Sequence, residues 1–135
     1  MASKQEIVEF LETKLPHFNC TILEVGDESA KTKHKVGKDE LRFGGTVSGP
    51  TLMAAADVAL YVAILGEIGL VTQTATTSLN INFLRKPVGD KDILCKCNLI
   101  KKGRMLIVGE VSLYSEGDDR AVAHVVGTYA VLPER

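Results

Sequence analysis

From Leu52 to Leu65 nearly every residue is apolar, and a single carboxylate, Asp57, stands in the middle of the run. Ser48 and Gly49 sit where a helix cap belongs, and Pro50 suits the first helical position. Gly66 and Gly69 mark the end. A helix that is hydrophobic all round is surrounded by protein. This run is too short to cross a bilayer, which takes roughly 20 residues. The segment therefore predicts a buried central helix, and the rest of the chain must supply its covering.

Beyond Gly69 the chain has the period of strands. Thr74 to Leu84 alternates Thr76, Ser78, Asn80 and Asn82 with Thr77, Leu79, Ile81 and Phe83. Asp92 to Ile100 places Ile93, Cys95, Cys97 and Leu99 on one face, and Met105 to Tyr114 does the same with Met105, Ile107, Val111 and Leu113. Ala121 to Leu132 is rich in valine and alanine. The connections, 86–90, 101–104 and 116–119, are short and turn-like, which favours antiparallel neighbours. Before the helix, Cys20, Ile22 and Val25 suggest a strand, Ser29 to Lys38 a loop or exposed hairpin, and Asp39 to Phe43 a further strand ahead of the Gly44-Gly45 turn. At the start, Ser3 and Glu6 have the spacing of a capping box. Ile7, Phe10, Leu11 and Leu15 recur at helical spacing until Pro16. These elements predict one α+β domain over residues 1–135, a twisted antiparallel sheet wrapped around a central helix. Such a sheet has open edges, which invite pairing with a second copy.

Net charge is −1, so no overall field draws the chain to nucleic acid or anionic lipid. The N-terminus carries polar and acidic residues where a signal peptide needs an apolar stretch, which points to a cytoplasmic protein. Three cysteines, with Cys95 and Cys97 two apart, do not make a disulfide framework. A C-x-C pair can bind metal, but on a strand it shares one face and reads as two small core residues. His17, His34 and His124 have no ligand-like spacing, so no metal and no cofactor are expected.

Asp57 is the only charged residue between Arg42 and Glu67. Aspartate is almost never fully buried unless paired or hydrogen-bonded. It is either a structural carboxylate bonded to neighbouring backbone or a tyrosine, or a base or nucleophile in a low-dielectric cleft. The helix start adds a second feature. Its first amides lack intrahelical partners and carry the positive end of the dipole, so they can hold a developing oxyanion. Pro50 has no N–H, which leaves the Gly49 amide as donor, and glycine lets a carbonyl approach closely.

Gly45 to Asp57, Asn80-Ile81-Asn82-Phe83-Leu84-Arg85, Lys102-Gly103-Arg104 and Gly127-Thr128-Tyr129-Ala130-Val131 together resemble the hotdog-fold acyl-CoA thioesterases of the phenylacetyl-CoA thioesterase-like (PaaI-like) group, over roughly residues 40–132. The resemblance implies a hotdog fold, homodimers and often homotetramers, and active sites at the dimer interface. It implies that Asp57 hydrolyses an acyl-CoA thioester to free acid and CoA, as general base or nucleophile, while the Gly49 N–H polarises the carbonyl. Ser48 replaces the histidine of a His-Gly-Gly motif and would orient substrate or water; Arg42 stands where some members have an asparagine. A hydroxyl on the next strand, from the partner subunit, is matched by Thr76, or by Thr77 if the alignment slips; Thr76 shares a face with Asn80 by simple alternation. Asn80, Arg85, Lys86, Lys102 and Arg104, with Lys101, are candidate contacts to substrate, the basic ones to the CoA phosphates. Tyr61, one turn after Asp57, either bonds the carboxylate or packs in the core. The alanines at 54–56 leave room for an acyl chain or for close helix–sheet contact. The departures at Ser48 and Arg42 keep a non-catalytic acyl-CoA-binding protein as the alternative. A hydratase or dehydratase would need His124 beside Asp57.

Overall fold

The computed structural model describes residues 1–14, 19–42, 44–89 and 91–132. Leu15, Pro16, His17, Phe43 and Asp90, each named in the sequence reading, lie outside them. Helix α1 (Lys4–Lys14) opens with the expected capping box: the Ser3 N–H donates to Glu6 Oε1 at 3.0 Å and the Glu6 N–H to Ser3 Oγ at 3.2 Å. Its Ile7 and Leu11 are buried, and it packs on the central helix and the first strand.

Strands β1 (Cys20–Gly26) and β2 (Ser29–His34) form a hairpin, so the region expected as a loop or exposed hairpin contributes a full strand. The two-residue turn places Asp27 and Glu28 at φ 54° and 58°. Both central residues are left-handed, as the twist of a tight hairpin demands. The strand expected over Asp39 to Phe43 does not form: Lys38–Glu40 is a single 3-10 turn, and among the described residues only Leu41 bridges, to Val47. The Glu40 side chain is the reason, because it accepts the Gly37 N–H at 2.9 Å and meets His34 Nε2 at 2.7 Å, closing the turn on itself.

Helix α2 (Gly49–Ile68) comes next, then β3 (Thr74–Phe83), β4 (Ile93–Lys102), β5 (Leu106–Ser115) and β6 (Ala121–Val131). The sheet is antiparallel throughout, in the order β1-β2-β4-β5-β6-β3. β4, β5 and β6 are sequential neighbours as expected, but β3 pairs with β6 and not with β4. The segment between β3 and β4 is therefore a crossover rather than a hairpin. It has three interstrand steps to span, about 14 Å, which a segment of that length covers easily. The arrangement is the hotdog fold, with α2 laid across the inner face of the sheet.

One contact sets how closely helix and sheet approach. Gly109 on β5 and Gly127 on β6 stand opposite one another. A Cβ on either would lie 2.6 Å from a methyl of Leu60 on α2. Two facing glycines thus leave the hollow that receives Leu60. With 20 residues and mean hydropathy 1.7, α2 is longer than its apolar run suggested and meets the length and composition of a membrane span, contrary to the sequence reading. Here it is the core helix. It is not enclosed on all sides, however: Met53 is 37% exposed, Ala54 is exposed, and Asp57, Val58 and Tyr61 are only half-buried. These positions recur every three or four residues and form one open stripe beside the edge strand β3.

Candidate functional site

Asp57 sits in the middle of that open stripe. Its Oδ1 accepts hydrogen bonds from the Thr76 hydroxyl at 3.0 Å and from the Tyr129 hydroxyl at 2.5 Å. The Tyr129 oxygen also lies 2.9 Å from the Asp57 carbonyl, but one phenolic proton serves one acceptor, and the shorter, charge-assisted bond takes it. Burial, and then the nearby Asp57 carboxylate, push the Tyr129 phenol well above its usual range, so it stays protonated and remains a donor. Oδ2 accepts no hydrogen bond among the described residues. The carboxylate is therefore anchored by one oxygen and presents the other to the open face.

Thr76 reaches Asp57 because β3 carries a bulge. Thr76 pairs with Tyr129 and Ser78 with Thr128, leaving Thr77 as the extra residue, its hydroxyl on the Thr128 carbonyl at 3.2 Å. One extra residue exchanges the faces of everything beyond it. Thr76 therefore shares the inner face with Leu79, Ile81 and Phe83, while Asn80, opposite Val126, faces outward. The choice of Thr76 over Thr77 agrees with this geometry, but the argument that Thr76 shares a face with Asn80 does not. Thr76 bonds Asp57 of its own chain. Asn80 is on the far side of the sheet from the carboxylate.

The second feature lies at the start of α2. Ser48 is the N-cap: its Oγ accepts from the Thr51 N–H at 3.3 Å and lies 2.9 Å from Thr51 Oγ1. Its hydroxyl oxygen thus closes the first turn of the helix. The Gly49 N–H, first in the helix, has no acceptor among the described residues. It lines a cavity of about 420 Å³ with Arg42, Thr46, Val47, Leu52 and the stretch from Phe83 to Pro87. A Cβ at position 49 would lie 3.3 Å from the Phe83 ring, so Gly49 stands beside the end of β3. Arg85 and Lys86 line the same cavity, and Arg85 Nε is fixed on the Ala121 carbonyl at 3.0 Å.

Within one chain the two features are apart. Eight residues of helix separate Gly49 from Asp57, a rise of about 12 Å, and Asp57 does not line the cavity. No single carbonyl can touch both. The basic residues divide likewise. Lys102 pairs with Glu67, 3.2 Å away in the last turn of α2, and Arg104 lies just beyond it in the β4–β5 turn. That end of α2 is about 27 Å from Gly49 along the axis. Lys102 and Arg104 therefore do not join Arg85 and Lys86 in one cluster.

Tyr61 packs rather than bonding the carboxylate: its hydroxyl donates to the Val71 carbonyl at 2.6 Å and its ring stacks on Tyr129, centroids 6.2 Å apart. His124 is on the outer face of β6, 3.5 Å from Glu110, and His34 is held by Glu40. Neither reaches Asp57 within the chain, so His124 does not form the pair with Asp57 that a hydratase reading called for. Cys95 and Cys97 are buried in the core, where burial pushes each thiol up to about 12. The sequence reading named Tyr129 only within a motif, without a role, and gave Thr46 none. The signal for Tyr129 was available, as a buried phenol in a valine-rich strand needs a partner. Thr46 carried none.

The sequence of residues 44–122 matches the Thioesterase superfamily, which is more than half of the chain. The chain belongs to that family. A candidate thioesterase from Silicibacter is 34% identical over 97% of this chain and 92% of its own, with a TM-score of 0.87. A hypothetical thioesterase with coenzyme A from Streptococcus pneumoniae shares 22% identity, covers 96% of this chain and 98% of its own, and gives 0.78. The PaaI protein of the Escherichia coli phenylacetic acid degradation operon shares 15% identity over 96% and 91%, with 0.80. The latter two show the common fold. No curated protein sequence matches.

Proposed function

We propose that this chain hydrolyses acyl-CoA thioesters, in a site completed by a second copy of itself. The observation that carries the reading is the carboxylate of Asp57, tied at Oδ1 by Thr76 and Tyr129, with Oδ2 open on an uncovered apolar stripe. β3 is an edge strand, Thr76 near its start lies beside Asp57, and Phe83 at its end lies beside Gly49. Antiparallel pairing of two β3 edges about a two-fold axis places the start of one strand against the end of the other. Asp57 of one copy then approaches Gly49 of the partner subunit, and the open stripes of the two α2 helices cover each other. The same pairing brings the Lys102–Arg104 turn toward Arg85 and Lys86 of the partner subunit, where CoA phosphates would lie. A tetramer would be built from two such dimers.

In this arrangement Oδ2 takes a proton from water as the water oxygen adds to the thioester carbon, or adds to that carbon itself. The carbonyl electron pair moves onto oxygen, which the Gly49 N–H stabilises. Collapse breaks the C–S bond, and the CoA thiolate takes the proton that Asp57 drew from water; where Asp57 itself adds, collapse leaves a mixed anhydride on Oδ2, which water hydrolyses to the free acid, restoring the carboxylate and supplying the proton to CoA. The test is a panel of acyl-CoA substrates, run on the wild type and on Asp57→Asn in parallel. Asparagine keeps an acceptor for Thr76 and Tyr129, so the fold and the oligomer should survive while turnover falls by about 10²- to 10⁴-fold. Full activity in the variant would overturn the mechanism. Tight binding without turnover in the wild type would leave an acyl-CoA-binding protein, the reading that the departures at Ser48 and Arg42 motivate.

A further inference from the structure

The cavity at the start of α2 has more hydrogen-bond donors than a thioester carbonyl can use. Thr46 is 8% exposed, and its Oγ1 is a buried polar atom without a partner among the described residues. Arg42 sits across a tight turn from it, its N–H on the Thr46 carbonyl at 2.6 Å. The Arg42 guanidinium makes no hydrogen bond or ion pair among the described residues. Both line the cavity with the Gly49 amide, and among the described residues no carboxylate or side-chain amide lines it with them. A carbonyl oxygen offers two lone pairs, and Gly49 takes one of them. The hydroxyl of Thr46 and the fork of Arg42 remain unspent, around a floor made apolar by Val47, Leu52 and Phe83.

We infer that the acyl group of the preferred thioester ends in a carboxylate, which Arg42 and Thr46 hold while Gly49 holds the thioester oxygen. A planar guanidinium matches a carboxylate with two parallel bonds. The depth of Thr46 favours the end of a short acyl chain over a diphosphate, which is bulky and strongly hydrated. Thr46 and Gly49 are three residues apart, at most about 10 Å, which limits the acyl group to a diacid of about four to six carbons. This inference rests on the thioesterase reading.

The experiment compares glutaryl-CoA with pentanoyl-CoA, equal in carbon number and different only in the terminal acid, on the wild type, Arg42→Gln and Thr46→Val. The wild type should prefer glutaryl-CoA in kcat/KM by about tenfold or more, since a charge-assisted pair is worth that much. Arg42→Gln should bring the ratio close to one, and Thr46→Val should lower it severalfold. A ratio near one in the wild type, or one that Arg42→Gln leaves unchanged, would overturn the inference. Inhibition by 3′,5′-ADP should be the same in the wild type and Arg42→Gln; a tenfold weaker inhibition in the variant would assign Arg42 to the nucleotide phosphates and overturn it too. Absence of hydrolysis with either thioester would instead remove the thioesterase reading. Calorimetry with S-(4-carboxybutyl)-CoA and S-pentyl-CoA, which cannot be hydrolysed, then still reads the preference as a ratio of dissociation constants.

Discussion

The Tyr129 hydroxyl donates to Oδ1 of Asp57 at 2.5 Å, joining the last strand of the sheet to the middle of the central helix. Tyr129→Phe removes that donor and keeps the ring stacked on Tyr61. We expect kcat to fall about tenfold, the worth of one such hydrogen bond, with KM changed less and the oligomer intact. An unchanged kcat would show that the tyrosine only packs.

A site shared between two copies makes a prediction about mixtures. Gly49→Pro removes the amide proton, and the extended Ser48 backbone, at φ −72° and ψ 155°, tolerates a following proline. Asp57→Asn and Gly49→Pro should each be inactive alone. Refolded together in equal amounts, they form heterodimers in which one of the two sites carries neither substitution. Activity should return to about a quarter of wild type, as random pairing makes half the dimers mixed. No recovery, with heterodimers shown to form, would overturn the pairing of Asp57 of one copy with Gly49 of the other.

The hollow formed by Gly109 and Gly127 is a matter of space. Gly109→Ala places a methyl 2.6 Å from Leu60 Cδ2 and should destabilise the protein by about 1–3 kcal/mol in chemical denaturation. Adding Leu60→Ala should cost less in the Gly109→Ala background than in the wild type, because the two changes relieve the same overlap. Strict additivity would show that the contact is not the source of the loss.

Glu67 fastens the β1–β2 turn to the end of α2. The Glu28 N–H, first, and then Lys102 hold its carboxyl below the usual carboxylate range. A carboxyl lowered in the folded state adds stability that is present above its unfolded value, about 4.3, and is lost as pH falls through the lower folded value. Glu67→Gln should therefore be less stable than the wild type at pH 7, by about 1–2 kcal/mol, and the two should converge as pH falls through the lowered folded value. Urea midpoints across that range check it; a gap that stays constant would refer the effect to packing.

The order of the central helix and the strands after it, the cap at Ser48 and the need of Asp57 for hydrogen-bond partners were legible because each depends on local pattern. The β1–β2 hairpin was not, since its turn places Asp27 and Glu28 in left-handed conformations without the glycine that usually announces them. The position of β3 beside β6 was not, because short connections favour neighbours but do not compel them. The distance between Gly49 and Asp57 came from helix geometry alone. The proposal that they serve different sites rests on α2 being open on one side and on β3 lying at an edge. Thr46 gave no sign because an orphan hydroxyl exists only once the chain has folded around it.

The bulge at Thr77 works as a half-step in a staircase. Without it, Thr76 and Phe83 could not both look toward the helix, for alternation would send one of them to the opposite side. The carboxylate would lose its hydroxyl, or the glycine its aromatic neighbour. What this strand contributes to the chemistry is thus decided by its register rather than by which residue stands at 77. Deleting Thr77 would leave Thr76 and Phe83 six residues apart, where plain alternation keeps both toward the helix, so the shortened strand should retain both contacts in a regular ladder.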